Sequence, residues 1–109
     1  MLRRAVRVTA IRTNFHATAD DTLEAVLNGA IALEATTDLD SELSSGVLTL
    51  RRDAQTWVLN KQSPNQQLWL SSPYSGPARF ELSDGAWRHT RDGSCLRDLL
   101  KHELGLEYD

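Results

Sequence analysis

The chain has 109 residues, of which 40% are hydrophobic and 25% are charged, with a net charge of −3 and a single cysteine. This size and composition predict one globular domain with a modest core. No apolar run approaches the roughly 20 residues needed to cross a bilayer, so we predict no membrane contact. One cysteine excludes an internal disulfide framework and fits a reducing compartment. A cysteine-based zinc site is not expected, because it would need a second cysteine nearby.

The charge is distributed unevenly along the chain. Residues 1–14 contain four arginines and no acidic residue, whereas residues 15–109 contain 8 basic and 15 acidic residues, a net charge of −7. An arginine-rich, acid-free segment with hydroxyl residues is typical of an organelle transit peptide. The alternative is a disordered or strand-like basic tail. We therefore predict a transit peptide or flexible basic tail at residues 1–14 and a single domain at residues 15–109.

The first predicted element is an amphipathic helix. Thr18 or Asp20 is expected to cap its N-terminus, and the helix is expected to end near Ala35 or Thr36. Gly29 lies inside it and costs about 1 kcal/mol relative to alanine, so the helix depends on packing. Its apolar stripe, at helical spacing, is predicted to consist of Leu23, Val26, Leu27, Ala30 and Ile31.

From residue 38 the hydrophobic period changes to two, which predicts short strands. The strands DLDSEL, VLTLRR and TWVLNKQ are followed by a turn at Ser63-Pro64-Asn65, and then by QQLWLSSP. After a loop rich in proline and glycine, ARFELS and AWRHT flank Asp84-Gly85, a strong hairpin signal.

A second helix is predicted after the last strand. Asp92-Gly93-Ser94 is expected to end the sheet and cap this helix. Tight turns between successive strands require antiparallel neighbours. The predicted fold class is therefore α+β: a two-layer sandwich in which an antiparallel sheet of about five to six strands is covered on one face by the N- and C-terminal helices. The apolar face of the second helix is predicted to consist of Leu96, Leu99, Leu100 and Leu104.

One tryptophan falls on the wet side of its predicted strand. In QLWLS the leucines take the buried face, so Trp69 lies between Gln67 and Ser71 on the uncovered face. Pairing across the preceding turn is expected to bring Asn60 and Gln62 beside them. Tryptophan is enriched at binding hot spots, and amides supply directional hydrogen bonds. The alternative is a solitary exposed aromatic residue, which is common on protein surfaces.

These alternatives predict different costs for Trp69→Ala. A core tryptophan should contribute about 3–5 kcal/mol to stability. A surface anchor should contribute about 0.5 kcal/mol or less to stability but 2 kcal/mol or more to binding. We predict the surface anchor.

Acidic residues form the second candidate site. Between Phe15 and Leu50 there are seven acidic residues and no lysine or arginine. Carboxylates without basic partners suit cations such as Fe²⁺, Mn²⁺ or Ca²⁺, bound weakly through oxygen alone. The alternative is that first-turn acids serve the helix dipole and that charged edge strands discourage aggregation. The predicted metal-binding residues are Asp20, Asp21, Glu24, Asp38, Asp40 and Glu42.

Other function classes receive little support from the sequence. The net charge of −7 outside the basic segment argues against nucleic-acid binding through the sheet. No nucleophile elbow, P-loop or H-E-x-x-H pattern is present, and Cys95 lacks a nearby catalytic motif. We predict no catalytic residues of these types and a monomeric chain.

The stretch NKQSPNQQLWLSSPYSGPARF closely resembles the frataxin family, specifically its mitochondrial-type members. The similarity continues through GAWRHTRDGSCLRDLLKHEL and reaches back to SSGVLTL and, more loosely, ADDTLEAVL. The resemblance covers about 85 of the 109 residues. It implies the same order of helix, sheet and helix.

The resemblance also implies a function and a location. Frataxins bind iron and act in iron–sulfur cluster assembly on a complex of cysteine desulfurase and scaffold protein, so we expect an iron chaperone or allosteric activator in the mitochondrial matrix or a mitochondrion-related organelle. The alternative is a ferroxidase or iron-storage protein that oxidises Fe²⁺ at its acidic ridge. The resemblance implies partner contacts at Asn60, Gln62, Asn65, Gln67, Trp69 and Arg79.

The family's acidic ridge corresponds to Asp20, Asp21 and Glu24 on the first helix and to Asp38 and Asp40 on the first strand. Residues 28–32 read NGAIA, where family members often carry further carboxylates. We therefore expect weak iron binding and rank storage below partner activation.

Overall fold

The computed structural model describes the backbone of residues 2–109 and the side chains of residues 15–109. The predicted transit peptide or basic tail at residues 1–14 falls outside the described side chains and stays a prediction. The elements in chain order are α1 (Leu2–Glu34), β1 (Asp40–Ser44), β2 (Val47–Arg52), β3 (Gln55–Gln62), β4 (Gln67–Ser72), β5 (Gly76–Ser83), β6 (Ala86–His89) and α2 (Leu96–Leu104).

The strands form one antiparallel sheet in which each strand pairs with its neighbour in sequence, in the order β1-β2-β3-β4-β5-β6. Tight turns make this arrangement possible. Between β5 and β6, Asp84 and Gly85 have φ values of 53° and 79°, the left-handed pair that a two-residue hairpin requires. The α+β sandwich predicted from the sequence is confirmed.

Helix α1 packs its buried face on the sheet, but that face differs from the predicted stripe. Leu23, Val26 and Ala30 are buried as expected, whereas Ile31 is 51% exposed. The buried row begins earlier, at Phe15 and Ala19, and follows steps of three and four residues. Because one residue turns the helix by about 100°, Ile31 rotates out of this row.

The predicted start of α1 is wrong. Residues 15–20 are already helical, so neither Thr18 nor Asp20 occupies an N-cap, and the acids at 20, 21 and 24 lie outside a first turn. The predicted end is confirmed, because α1 stops at Glu34 and Thr37 donates hydrogen bonds from both N and Oγ1 to the Leu33 carbonyl at 2.8 Å.

Helix α2 buries Leu96, Leu100 and Leu104, as the sequence predicts. Its N-cap is Cys95, which makes no side-chain capping bond, so the predicted cap within residues 92–94 is wrong. Asp92 instead accepts hydrogen bonds from N and Oγ of Ser94, at 2.9 and 2.6 Å, and shapes the loop before the helix. No helix among the described residues is long and apolar enough to cross a membrane.

A glycine allows the chain end to cross α1 closely. A Cβ atom on Gly29 would lie 2.3 Å from the carbonyl oxygen of Glu107 and 3.2 Å from Leu106, which is itself fully buried. The segment after α2 therefore packs directly on the backbone of α1. This contact explains why position 29 of α1 is a glycine, although glycine weakens a helix.

Candidate functional site

The sheet has one face covered by helices and one open face. Trp57, Leu59, Leu68 and Leu70 alternate toward the helices and are at most 3% exposed. Trp69 points the other way and is only half-buried. The alternation predicted for β3 and β4 is therefore found, and Trp69 is not beneath the helices.

Strand register brings the predicted amides beside this tryptophan. Asn60 lies opposite Trp69, and Gln62 lies opposite Gln67. On the other side of β4, Arg79 lies opposite Trp69. Because directly paired residues in an antiparallel sheet share a face, these five side chains form one patch on the open face. We call this set of residues the Trp69 patch.

Two contacts hold the indole of Trp69 in place. Its Nε1–H donates a hydrogen bond of 2.8 Å to Oε1 of Gln67, and Nε2 of Gln67 donates one of 2.8 Å to Oε2 of Glu81. The guanidinium carbon of Arg79 lies 4.5 Å from the ring centroid, in cation–π geometry. The ring is therefore presented in a fixed orientation on the sheet surface.

These contacts change the contribution to the stability of the fold that we expect from Trp69. The sequence predicts about 0.5 kcal/mol or less for a surface anchor. A partly buried hydrogen bond of about 1 kcal/mol and a cation–π contact of about 0.5–1 kcal/mol raise the expected contribution to about 1–2 kcal/mol. Trp69 thus contributes to stability without being a core residue.

The remaining residue assigned to partner contact lies apart from the patch. Asn65 is exposed in the turn between β3 and β4, where the amide of Gln66 donates a hydrogen bond of 3.1 Å to the Ser63 carbonyl. Gln66, rather than Asn65, takes the left-handed conformation, with a φ of 52°. Asn65 is therefore exposed at the tip of the hairpin, beyond the Gln62–Gln67 and Ser63–Gln66 pairs.

A depression of about 640 Å³ adjoins the patch between β4, β5 and the segment that follows β6. Leu70 and Ala78 contribute to its lining together with residues from the open face. In the segment after β6, the sequence predicts only the end of the sheet and a helix cap at Asp92-Gly93-Ser94, and no binding role for Thr90 or Arg91. The other lining residues are Val58, Asn60, Trp69, Ser71, Pro77, Arg79, His89, Thr90 and Arg91.

The six predicted metal-binding carboxylates are all exposed, but the structure divides them into two groups. Asp20, Asp21 and Glu24 lie on α1, whereas the other three lie at and before β1. Near the end of α1, Glu34 accepts a hydrogen bond from Ser41 of β1. The helix rises about 21 Å between Asp20 and Glu34, so the first carboxylate of the helix is far from this junction.

A basic residue forms an ion pair with one of these carboxylates, and another basic residue lies opposite a second carboxylate on the paired strand. Lys61 Nζ lies 2.8 Å from Oδ1 of Asp20, and Arg51 is the register partner of Asp40. The expectation that the acids lack basic partners is therefore wrong for Asp20, because a residue 41 positions away in sequence folds against it. Among the described residues, no three His, Cys, Asp or Glu side chains come together in a way that could hold a metal ion.

Two titratable groups outside these sites have shifted pKa values. Hydrogen bonds from Ser94 lower the pKa of Asp92 below its ordinary value. Burial raises the pKa of Tyr108 to about 12, with Arg97 opposing the shift. Neither group belongs to the Trp69 patch.

Comparison with known proteins places the chain in a family. A family model described as a frataxin-like domain matches residues 9–109. The mitochondrial frataxin homolog of Saccharomyces cerevisiae is 48% identical over 94 residues, which cover 83% of this chain and 54% of that protein. The mitochondrial frataxin of Caenorhabditis elegans is 38% identical over 100 residues, covering 85% and 74%. The chain thus matches about half the length of the yeast relative.

A solved structure shows the same architecture. The trimeric frataxin of Saccharomyces cerevisiae complexed with ferrous iron superposes with a TM-score of 0.75 at 46% identity, covering 80% of this chain and 81% of that one. The mitochondrial location predicted from the sequence is confirmed by relatives from several species that are named as mitochondrial proteins. The chain belongs to the frataxin family.

Proposed function

We propose that this chain is an iron-binding accessory protein of iron–sulfur cluster assembly that acts on a complex of cysteine desulfurase and scaffold protein through the Trp69 patch. The proposal rests on family membership and on one structural observation: an indole on the open face of the sheet that is held by a hydrogen bond and a cation–π contact. The family is known for iron binding in iron–sulfur cluster biogenesis and iron homeostasis.

The Trp69 patch has the properties of a binding hot spot. Trp69 supplies a large apolar surface, and its orientation is already set by Gln67 and Arg79. A side chain ordered before binding loses little conformational entropy on association. Asn60 and Gln62, both half-buried beside it, add hydrogen-bonding groups that favour a partner with matching polar groups.

The proposed activity is a shift in the partner's conformational equilibrium. A mobile cysteine-bearing loop of the desulfurase would be favoured in its transfer-competent position by contacts that exist only in that state. A ligand shifts such an equilibrium only through its difference in affinity for the two states. The Trp69 patch would provide that difference, and the chain itself would carry out no covalent chemistry.

Sulfide release by the desulfurase–scaffold complex tests the proposal. The intact chain should accelerate release, and Trp69→Ala should lose at least about 2 kcal/mol of binding free energy, equivalent to about a 30-fold higher concentration for half-maximal acceleration. Melting curves recorded on both proteins establish that the variant is folded under the assay conditions.

Tyr74→Ala is the matched control for an exposed aromatic residue. Tyr74 is 61% exposed at the β4–β5 turn, and its hydroxyl donates to Gln55 rather than to any member of the Trp69 patch. Acceleration should therefore survive this change. Equal acceleration by wild type and Trp69→Ala, or none by wild type, would count against the proposal.

Ferrous iron is proposed as a weakly held cargo rather than a resident cofactor. The exposed carboxylates fit a hard cation one or two at a time, in keeping with the division of the acids between α1 and β1. The yeast relative complexed with ferrous iron supports iron binding. Calorimetric titration with Fe²⁺ under anaerobic conditions should give weak binding that is reduced in an Asp38→Asn, Asp40→Asn double variant.

Ferroxidase or storage activity is a lower-ranked alternative. Oxidation at a defined centre needs ligands that converge, and among the described residues no three candidate ligands do so. The yeast relative is named as a trimer, so an activity that depends on assembly is conceivable for that protein. Our own proposal for this chain is a monomer, which sedimentation with and without Fe²⁺ tests directly.

A further inference from the structure

The depression beside Trp69 is a basic site on an acidic domain. Its lining includes Arg79 and Arg91 and no aspartate or glutamate. Residues 15–109 as a whole contain 8 basic and 15 acidic residues. Of the nearby acids, Glu81 accepts a hydrogen bond from Gln67, and Asp92 accepts two from Ser94 and has its Oδ1 3.9 Å from Nδ1 of His89.

The segment that carries Arg91 is held by backbone hydrogen bonds. The amide of Thr90 donates to the Arg79 carbonyl at 2.9 Å, and the amide of Arg91 donates to Nδ1 of His89 at 3.0 Å. The same loop is closed by a 2.7 Å bond from the His89 amide to the Ser94 carbonyl. Because its backbone is held by these hydrogen bonds, the exposed Arg91 has a defined position at the edge of the depression.

Both arginines keep donors for a ligand. Within residues 15–109, no hydrogen-bond or ion-pair acceptor is found for the guanidinium groups of Arg79 and Arg91, and the Arg79 guanidinium lies over the ring of Trp69. A guanidinium stacked through its face still directs its N–H groups outward from its edge, in the fork that matches a carboxylate.

We propose that this depression receives a carboxylate-bearing segment of the partner, with the acidic side chain between Arg79 and Arg91 and an adjoining apolar side chain on Val58 and Pro77. This inference rests on the proposed function and names the chemistry recognised at the same surface. Charge complementarity selects the acidic segment, since arginine–carboxylate pairs are short, strong and directional. A nucleic acid is disfavoured, because the surrounding domain repels a polyanion.

Affinity measurements on Arg91→Gln test the inference. Binding to the desulfurase–scaffold complex should weaken about tenfold at low salt, the loss expected for a hydrogen-bonded charged pair. The difference from wild type should shrink between about 0.05 M and about 0.5 M KCl, because salt screens exposed charges. Lys101→Gln removes the same charge from a side chain that is 64% exposed on α2, outside the depression, and should bind as wild type does.

A chemical cross-link identifies the group opposite Arg91. Arg91→Lys places a primary amine at this position, and a carbodiimide joins such an amine to a carboxylate in direct contact as an amide, with release of the corresponding urea. Mass spectrometry should locate an amide between position 91 and an aspartate or glutamate of the partner. The wild-type chain, treated in the same way, controls for links through Lys61 and Lys101.

The outcomes separate the two proposals. If Trp69→Ala weakens binding while Arg91→Gln binds as wild type does, the carboxylate inference is overturned and the proposed function stands. Loss of affinity in Arg91→Gln with no cross-link from position 91 to a carboxylate also overturns it. If the wild-type chain does not bind the complex, both proposals fail.

Discussion

The two faces of the sheet use the same side chain in different ways. On the covered face, Trp57 and Trp87 are 1% and 5% exposed, and their indole N–H groups donate to Glu103 and Thr22 on the helices. On the open face, the indole of Trp69 bonds only to a neighbour on its own strand and stacks under an arginine. The covered tryptophans join two layers, whereas Trp69 is only half-buried. The presence of a tryptophan therefore does not by itself show whether the residue serves stability or recognition.

The largest expected difference is a loss of core packing. Trp57→Ala should lower the free energy of unfolding by about 3–5 kcal/mol, because it empties a fully buried site and leaves Glu103 without its indole donor. For a domain of this size the melting temperature should fall by more than about 12 °C. Thermal denaturation measures it, and a fall of a few degrees would contradict the assignment of Trp57 to the core.

One added methyl group sharpens the same comparison on the helical layer. Gly29→Ala should cost about 2 kcal/mol despite the better helix propensity of alanine, because its Cβ would meet the Glu107 carbonyl oxygen at 2.3 Å. Asn28→Ala, at the exposed neighbouring position, is the control and should be neutral or slightly stabilising. Urea denaturation of the two variants gives the comparison. Equal stabilities would mean that the chain end moves away without cost.

Trp69→Ala should have a smaller effect on stability than Trp57→Ala. Loss of the hydrogen bond to Gln67 and of the contact with Arg79 should cost about 1–2 kcal/mol. Trp69→Phe keeps a ring beneath Arg79 but removes the N–H donor, so it should recover part of the loss. Chemical denaturation of the three proteins tests this order. A cost equal to that of Trp57→Ala would abolish the distinction between the two faces.

The smallest expected effect is a pH dependence near the chain end. Burial raises the pKa of Tyr108 to about 12 in the folded state, above the ordinary value of about 10 in the unfolded chain. The neutral phenol therefore stabilises the fold fully below pH 10, and this contribution is lost as the pH rises toward 12. Relative to Tyr108→Phe, the wild type should lose on the order of 1 kcal/mol across this range, after allowance for partial exposure. Urea denaturation at pH 8 and pH 11 measures it; a difference independent of pH contradicts it.

Local pattern was sufficient to predict the sheet. The alternation in TWVLNKQ and QLWLS assigns Trp57 and Trp69 to opposite faces, and the pairing of Asn60 with Trp69 follows from the turn between the strands. The helix was less accessible to such reasoning. Polar residues that can cap a helix are also compatible with its interior, so Thr18 and Asp20 suggested a start that the folded chain does not use.

Contacts between distant residues account for what the sequence could not predict. Lys61 follows Trp57 and Leu59 on the covered face of β3, where it reaches Asp20 on α1 and neutralises part of the expected cation site. Likewise, no local pattern predicts that Arg91 lies near Arg79. The two segments meet after β6, where the Thr90 amide donates a hydrogen bond to the Arg79 carbonyl. Site residues within one hairpin were predictable, whereas those assembled from separate elements required the fold.

Because every strand pairs with its sequence neighbour, the sheet itself closes through short loops. The loop closures with the largest entropy cost join α1 to later parts of the chain. Trp87 bonds to Thr22 across 65 positions, and Leu106 and Glu107 pack beside Gly29. Low contact order favours rapid assembly of the hairpins, while the core is completed only when the C-terminal segment docks on α1. During synthesis on the ribosome, the nascent chain should therefore keep α1 incompletely packed until Leu106 and Glu107 have left the exit tunnel.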